Sequence, residues 1–244
     1  SYHDMYYMNP PAKDLSKIAS SDKVKKVQKD FEATHVRPQR LMKTLFTDEA
    51  YVKANVDEAR LMRRLFDLAC NMQSHDTDMQ LYSLFTDEEC YDLWSCNNLY
   101  WYLTHACSPV TDGLMPYREA DLLRNILDRA DAALKEGKNQ ATLRFGHESC
   151  LLPLVALLEL NHYGESYPDV EKLSEQWRAY DIFPMASNVQ FVFFHKKGSN
   201  DVLVKVLLNE KEAKLPVKTD VAPYYHWKDV ESYYREKLDK YQHI

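Results

Sequence analysis

The chain has 244 residues, of which 45% are hydrophobic and 28% charged, a composition typical of a folded domain and not of a disordered chain. No apolar run approaches the roughly 18 residues that cross a bilayer, so no membrane partner is predicted. The net charge of −6 argues against a general nucleic-acid binder. The first 64 residues nevertheless hold 13 Lys and Arg against 9 Asp and Glu, so any site for a polyanion is expected to draw on that part.

The first part of the chain is predicted to be mostly helical. None of the five glycines lies in the first 112 residues, so tight hairpin turns are not expected there. A charged helix is predicted over residues 22–33, and Pro38 at a first-turn position opens the next one. We therefore predict a mostly helical, cap-like domain over residues 1–115.

Two patterns in this region resemble capping boxes, which mark the first turn of a helix. Asn55 and Glu58 precede an amphipathic run, and Thr86 and Glu89 precede a long aromatic run that ends near residue 107. Each pattern predicts that a helix begins there.

Beyond residue 115 the pattern alternates between helix and strand. The predicted order is a helix over 118–135 that stops at Gly137, a strand over 141–146, a buried helix over 149–160, a hairpin of strands 189–195 and 202–208, and a helix over 226–241. This order predicts an α/β fold class with too few strands for a complete doubly wound sheet. Residues 116–244 are therefore expected to form a portion of an α/β domain.

The five cysteines predict neither a disulfide framework nor a metal site. No Cys-x-x-Cys pair occurs, and an odd number cannot all pair with one another. No two histidines, cysteines or carboxylates stand at a recognisable ligand spacing, so no metal and no cofactor are predicted.

The residues best suited to chemistry lie where the predicted strand 141–146 meets the following helix. Gly146 permits a sharp turn, and His147 and Glu148 follow it directly. Ligands of open α/β sheets bind at such ends, and the first turn of a helix favours anions. The same pair is also consistent with a helix cap whose imidazole binds the backbone. Spacing alone leaves both interpretations open.

A catalytic serine or cysteine at this turn is a weaker interpretation. Ser149 stands three residues after Gly146, whereas a nucleophile elbow places its serine two residues after the first glycine. Cys150 lies inside an apolar helical run, which is typical of a buried and unreactive thiol.

Four segments carry a resemblance to a known family. They are LRFGHESCLLPLVALLEL, FPMASNVQFVFFHKKGSNDVLVKVLLNEKEAKLP, RPQRLMKTLFTDEAYV and YSLFTDEECYDLW. The first two resemble the C-terminal part of the histidine acid phosphatases, most closely the multiple inositol polyphosphate phosphatase (phytase) branch, and the others resemble its middle helical region. The resemblance implies a phosphomonoesterase with an α/β domain, an inserted helical domain and a phosphohistidine intermediate.

The resemblance also implies roles for residues of the turn. His147 matches the second histidine of the family, which binds the phosphoryl group in transfer. Glu148 matches the acid that protonates the leaving alcohol, although the family writes this pair as His-Asp or His-Ala-Glu, and Ser149 stands at the acid's place in the latter. Arg144 is either a substrate contact or a structural ion-pair partner.

The family's nucleophile has no counterpart in this sequence. Its Arg-His-Gly-x-Arg-x-Pro segment does not occur, and His35, the nearest candidate, lacks the preceding arginine and the following glycine. The chain is therefore expected to be the C-terminal portion of a longer enzyme and to be inactive alone. The alternative is a non-catalytic helical binding module that retains a decayed phosphatase surface.

The remaining prediction concerns a basic cluster in the helical part. It is expected either to contact a highly phosphorylated small molecule, such as an inositol polyphosphate, or to form a solvated helix face. Arg40 and Lys43 are its predicted substrate-binding members. The others are Arg37, Arg60, Arg63 and Arg64. By resemblance, the protein is expected in the periplasm or outside the cell.

Overall fold

The computed structural model describes residues 10–241, which form two compact units. One unit spans residues 25–100, and the other combines the residues up to 24 with those from 101 onward. The domain boundary predicted at residue 115 lies inside the second unit and stays a prediction, and the ends of both predicted domains lie outside the described residues. No helix within 10–241 is both long enough and apolar enough to cross a bilayer.

The first part of the chain is helical, as its lack of glycine predicted. Its helices are α1 (Pro10–Ala19), α2 (Asp22–His35), α3 (Gln39–Leu45), α4 (Glu49–Asn55), α5 (Glu58–Asn71) and α6 (Asp87–His105), with short 3-10 turns at Met72–Ser74 and Tyr82–Leu84. The core of the unit 25–100 is built mainly from the apolar faces of α3, α4, α5 and α6. Its buried members are Val36, Leu41, Met42, Val52, Met62, Ala69, Phe85 and Leu93.

One of the two predicted capping boxes is confirmed and the other is wrong. The Glu89 N–H donates to Thr86 Oγ1 at 3.2 Å, and the Thr86 N–H donates to Glu89 Oε2 at 2.9 Å. Asn55, by contrast, is the last residue of α4, and the side chain of Asp57 caps α5 by accepting the Arg60 N–H at 3.1 Å. Helix α4 has only seven residues, too few to establish a period in the sequence.

The second unit contains helices and one antiparallel sheet. Its longer elements are α7 (Ala120–Glu136), α8 (Glu148–Leu157), β1 (Val189–His195), β2 (Val202–Leu208) and α11 (Trp227–Tyr241). Its shorter ones are α9 (Leu173–Gln176), α10 (Ala179–Ile182), β3 (Lys211–Glu212), β4 (Tyr225–His226) and 3-10 turns at Pro109–Thr111, Met115–Glu119 and Val170–Lys172. Gly137 ends α7 with a φ of 65°, as the stop signal predicted.

Strand β2 is the centre of the sheet. It pairs along its length with β1, from Val189 opposite Leu208 to His195 opposite Val202, so the predicted hairpin is confirmed residue for residue. Strand β3 pairs with one end of β2, and β4 pairs with the other. Alternate residues of β2 are buried, and α11 packs against this strand. The mixed helix and sheet fold agrees with the predicted α/β class.

The strand predicted over residues 141–146 is wrong for this structure. The segment has no regular secondary structure and pairs with none of the described strands, and Leu143 and Phe145 are 75% and 87% exposed. A strand exists only where a neighbour accepts its backbone hydrogen bonds. The described sheet of β1 to β4 does not include this segment, so its β-prone sequence is left without a partner.

Candidate active site

His147 lies at the N-terminus of α8, where its backbone starts the helix. It is the residue that caps this helix, with extended backbone angles of φ −117° and ψ 164°. Its carbonyl accepts the N–H groups of Cys150 and Leu151, both at 3.0 Å. Its imidazole makes no capping hydrogen bond, and the residue is exposed. The backbone thus fixes the position of His147 while its ring faces solvent.

Glu148 is the first residue of α8 and is also exposed. An acidic side chain in the first turn interacts favourably with the partial positive charge of the helix N-terminus. Further along, α8 is anchored by a buried apolar stretch. This stretch consists of Leu152, Pro153, Leu154, Val155, Ala156 and Leu157. The helix therefore presents two exposed polar side chains from a buried apolar base.

Gly146 does not adopt the backbone conformation that would require glycine. Its φ lies outside the positive range, and a Cβ atom built on it would meet only Cys150 Cβ, at 4.0 Å. The sharp, glycine-dependent turn predicted here is therefore not observed.

Arg144 is exposed and binds a neighbouring helix. Its Nη2 donates to Oδ1 of Asn125 on α7 at 2.7 Å. Desolvation of the guanidinium and the charge of Arg129 lower the pKa of Arg144. The partner is thus an amide and not the carboxylate of an ion pair, and a role in substrate binding stays a prediction.

The predicted basic cluster belongs to the unit 25–100, where most of its members pair with carboxylates. Arg40 Nε donates to Glu89 Oε1 at 2.7 Å, and its Nη2 donates to the Leu84 carbonyl at 2.6 Å. Lys43 Nζ lies 3.6 Å from Glu49 Oε1. Arg37, Arg63 and Arg64 also pair with acidic residues. Five of the six members therefore pair with carboxylates within this unit, and both a phosphate-binding site and a solvated helix face stay predictions.

The structure adds a buried acid that the sequence analysis did not single out. Glu119, the last residue of the 3-10 turn Met115–Glu119, is 1% exposed, and its Oε2 accepts a hydrogen bond from the Cys150 thiol at 3.0 Å. In the sequence, Glu119 stands in a run of charged residues that opens α7, where an acid is normally solvated. Its burial where the 3-10 turn packs against α8 is a consequence of tertiary packing.

Metal binding finds no support in the part of the chain that the structure describes. No group of three or more His, Cys, Asp or Glu side chains there is placed to hold a metal ion. The five cysteines are all free thiols.

Comparison with known proteins identifies the family. The family model of the histidine phosphatase superfamily, branch 2, matches residues 4–209. The chain belongs to this superfamily. Human multiple inositol polyphosphate phosphatase 1 is 28% identical to it over 134 residues, which are 50% of this chain and 27% of the human protein.

Solved histidine phosphatases share the fold. The phosphate complex of Bifidobacterium longum multiple inositol polyphosphate phosphatase matches with a TM-score of 0.77 at 18% identity, covering 95% of this chain and 59% of that one. Its inositol hexasulfate complex matches with a TM-score of 0.72, also at 18% identity, covering 92% and 57%. The chain therefore spans somewhat more than half the length of these relatives and about a quarter of the human protein.

Proposed function

We propose that this histidine phosphatase chain is part of an enzyme that hydrolyses phosphomonoesters, with inositol polyphosphates such as phytate as substrates. The observation that carries the proposal is the exposed His147–Glu148 pair at the start of α8, in a chain of this superfamily. Relatives whose names specify inositol polyphosphates support the substrate class.

In the proposed reaction, a nucleophilic histidine outside this sequence attacks the phosphorus atom, and the ester bond to the alcohol breaks. Glu148 gives its proton to the departing alkoxide, which leaves as the alcohol. Water then attacks the phosphohistidine, Glu148 takes back a proton, and phosphate leaves. His147 donates to the phosphoryl oxygens, and its contribution is largest while the group is in transfer.

The proposal extends to the charged residues and to location. Arg144 is proposed to contact the reacting phosphate. Arg40 and Lys43 are proposed to contact a phosphorylated small molecule, exchanging their carboxylate partners for phosphate oxygens. Export to the periplasm or the cell exterior remains part of the same proposal.

The test uses the full enzyme that carries both this chain and the nucleophile segment. Replacing His147 with Ala should lower turnover by about 10²- to 10³-fold, because one donor to the transferring group is typically worth that much. Glu148→Gln should lower turnover of inositol phosphates by roughly 10²- to 10⁴-fold and that of an activated aryl phosphate much less, since a good leaving group needs little protonation. Initial rates with both substrates measure this.

The matched control is Glu165→Gln, an exposed acid elsewhere in the same unit, which should leave both rates unchanged. Equal losses on both substrates for Glu148→Gln would remove it as the proton donor. The 244-residue chain alone should turn over neither substrate, and genuine turnover by it would contradict the assignment of the nucleophile to another segment. Phosphate binding without turnover by the full enzyme would favour a non-catalytic binding module.

A further inference from the structure

The buried Glu119 and the half-buried Cys150 form a polar contact that the proposed reaction does not use. The Cys150 thiol donates to Glu119 Oε2 at 3.0 Å, and Glu119 is 1% exposed. Burying a carboxyl group among apolar neighbours costs free energy unless it is hydrogen-bonded. This contact therefore holds the 3-10 turn Met115–Glu119 and α8 in one relative arrangement, because separating them leaves the carboxyl group without its donor.

The contact lies one helical turn from the candidate catalytic pair. Cys150 is the third residue of α8, and its backbone N–H donates to the His147 carbonyl at 3.0 Å. A continuous path of two hydrogen bonds thus leads from the Glu119 carboxyl group, through Cys150, to the backbone of His147. The 3-10 turn packs against α8, so this path lies inside a formed interface between two elements.

The pKa values of Glu119 and Cys150 favour a structural hydrogen bond between the two side chains. Burial raises the pKa of Glu119 to about 7, against the lowering effects of the Cys150 hydrogen bond and the Arg118 charge. Burial, together with the proximity of Glu119, also raises the pKa of the Cys150 thiol. The thiol therefore keeps its proton near neutrality and acts as a donor and not as a nucleophile.

We propose that Glu119 and Cys150 are positioning residues for His147, and that their hydrogen bond sets the orientation of the first turn of α8 toward the phosphoryl group. The role assigned to His147 rests on the proposed function. Neither Glu119 nor Cys150 touches substrate. A displacement of about 1 Å at a reacting group is enough to cost up to about 10²-fold, so a small tilt of this turn is measurable.

The experiment follows the His147 ring directly. Its imidazole resonances in the 244-residue chain are identified by their loss in His147→Gln and then titrated with inorganic phosphate. Glu119→Leu and Cys150→Ala, which remove the acceptor and the donor, should shift these resonances and weaken phosphate binding by about 10-fold. Glu119→Gln and Cys150→Ser, which keep an acceptor and a donor, should stay within about 3-fold of the parent chain.

The matched control is Leu157→Val, a buried change at the opposite end of α8 that lowers stability without touching the hydrogen-bonded path. Its His147 resonances should not move. If Cys150→Ala behaves like this control, the contact is only structural and the proposal is overturned; Cys150→Ala also decides the case if Glu119→Leu fails to fold. If phosphate does not perturb His147 in the parent chain but turnover by the full enzyme still depends on His147, the proposed function stands, and the resonances without phosphate decide the positioning role.

Discussion

At the scale of single residues, burial changes the chemistry of Glu119 more than its sequence context indicates. An acid with an ordinary pKa near 4.5 has its pKa raised to about 7 in the folded chain, chiefly by burial. Between these two values the unfolded chain has lost the proton that the folded chain still holds. Raising the pH through this window therefore favours unfolding.

This difference predicts a stability that falls with rising pH. The contribution of Glu119 to the free energy of unfolding should be largest below about pH 4.5. It should be about 3 kcal/mol smaller at pH 7, following the linkage between pKa and folding free energy. Glu119→Gln cannot titrate and should lose this dependence. Urea unfolding of both proteins between pH 4.5 and 7.5 measures it, and parallel curves for the two would contradict the prediction.

A second pH effect on stability is expected at His226, which lies in β4 of the sheet. Its Nδ1 lies 3.0 Å from Asp201 Oδ1 and its Nε2 lies 2.9 Å from Asp220 Oδ1, so two carboxylates flank one imidazole. The hydrogen bonds to Asp201 and Asp220 raise the pKa of His226, and the bond from His226 lowers the pKa of Asp220. The imidazolium joins the loop after β1 to the segment before β4.

The stabilisation from this cluster should be complete below the unfolded His pKa of about 6.5 and should be lost as the pH rises through the raised folded value. It should also be lost in acid, as the pH falls below the ordinary aspartate value of about 3.8 and then through the lowered pKa of Asp220 in the folded chain. The difference in unfolding midpoint between the parent chain and His226→Gln measures it at pH 5.5, 7 and 8.5. A difference that grows with pH would refute this prediction.

At the scale of elements, the C-terminal end of α8 is joined to α11 through a residue with unusual backbone angles. Glu159 has a φ of 51°, its carboxylate binds Lys237 Nζ at 3.1 Å, and it accepts the hydroxyl of Tyr233. Lys237 Nζ also donates to the Leu157 carbonyl at 2.8 Å. A left-handed glutamate is rare, and these partners on α11 hold it in place.

Gly164 has no side chain, and this leaves the space that Glu159 occupies. A Cβ atom at Gly164 would lie 2.5 Å from Glu159 Cγ and 2.9 Å from its Cα. Gly164→Ala should therefore destabilise the chain by about 1–3 kcal/mol, because the backbone of Glu159 must move. Gly146→Ala is the matched control, since its Cβ meets nothing closer than 4.0 Å, and should change stability by less than about 0.5 kcal/mol. Equal effects in chemical denaturation would show that Glu159 does not depend on this space.

Two elements of the fold show where a sequence pattern is sufficient to predict the structure. The Thr86–Glu89 box is confirmed because the two residues satisfy each other's backbone groups without help from the rest of the fold. Hairpin β1–β2 is confirmed because neighbouring segments pair across a short loop. The Asn55 cap is wrong because Asp57, two residues later, accepts the same kind of bond at the true start of α5. Local sequence signals thus show that a helix is present more reliably than they identify the residue at which it begins.

At the scale of the whole molecule, segment 141–146 is the part whose sequence and structure disagree. Leu143 and Phe145 are 75% and 87% exposed, although their spacing is that of a strand with one apolar face. The segment is attached to α7 through the Arg144–Asn125 hydrogen bond. Its apolar side chains contribute little to the stability of the chain as described.

The double change Leu143→Ser and Phe145→Ser should accordingly alter the unfolding free energy by no more than about 0.5 kcal/mol. Leu127→Ala in α7, at a fully buried position, should cost about 2–5 kcal/mol in the same measurement. Urea denaturation of the two proteins gives the comparison. A loss above about 1.5 kcal/mol for the double change would show that these side chains are packed in solution.

The sequence by itself determined most of the long helices, the β1–β2 hairpin and the start of a helix close to His147. These features depend on residues that are close to one another in the sequence. They include capping hydrogen bonds, glycines that end helices and the alternation of apolar residues in strands. Tertiary structure alone decided that Glu119 is buried against Cys150, that Arg40 binds Glu89, and that segment 141–146 is unpaired. Burial and strand pairing are properties of residues far apart in sequence, so no local pattern contains them.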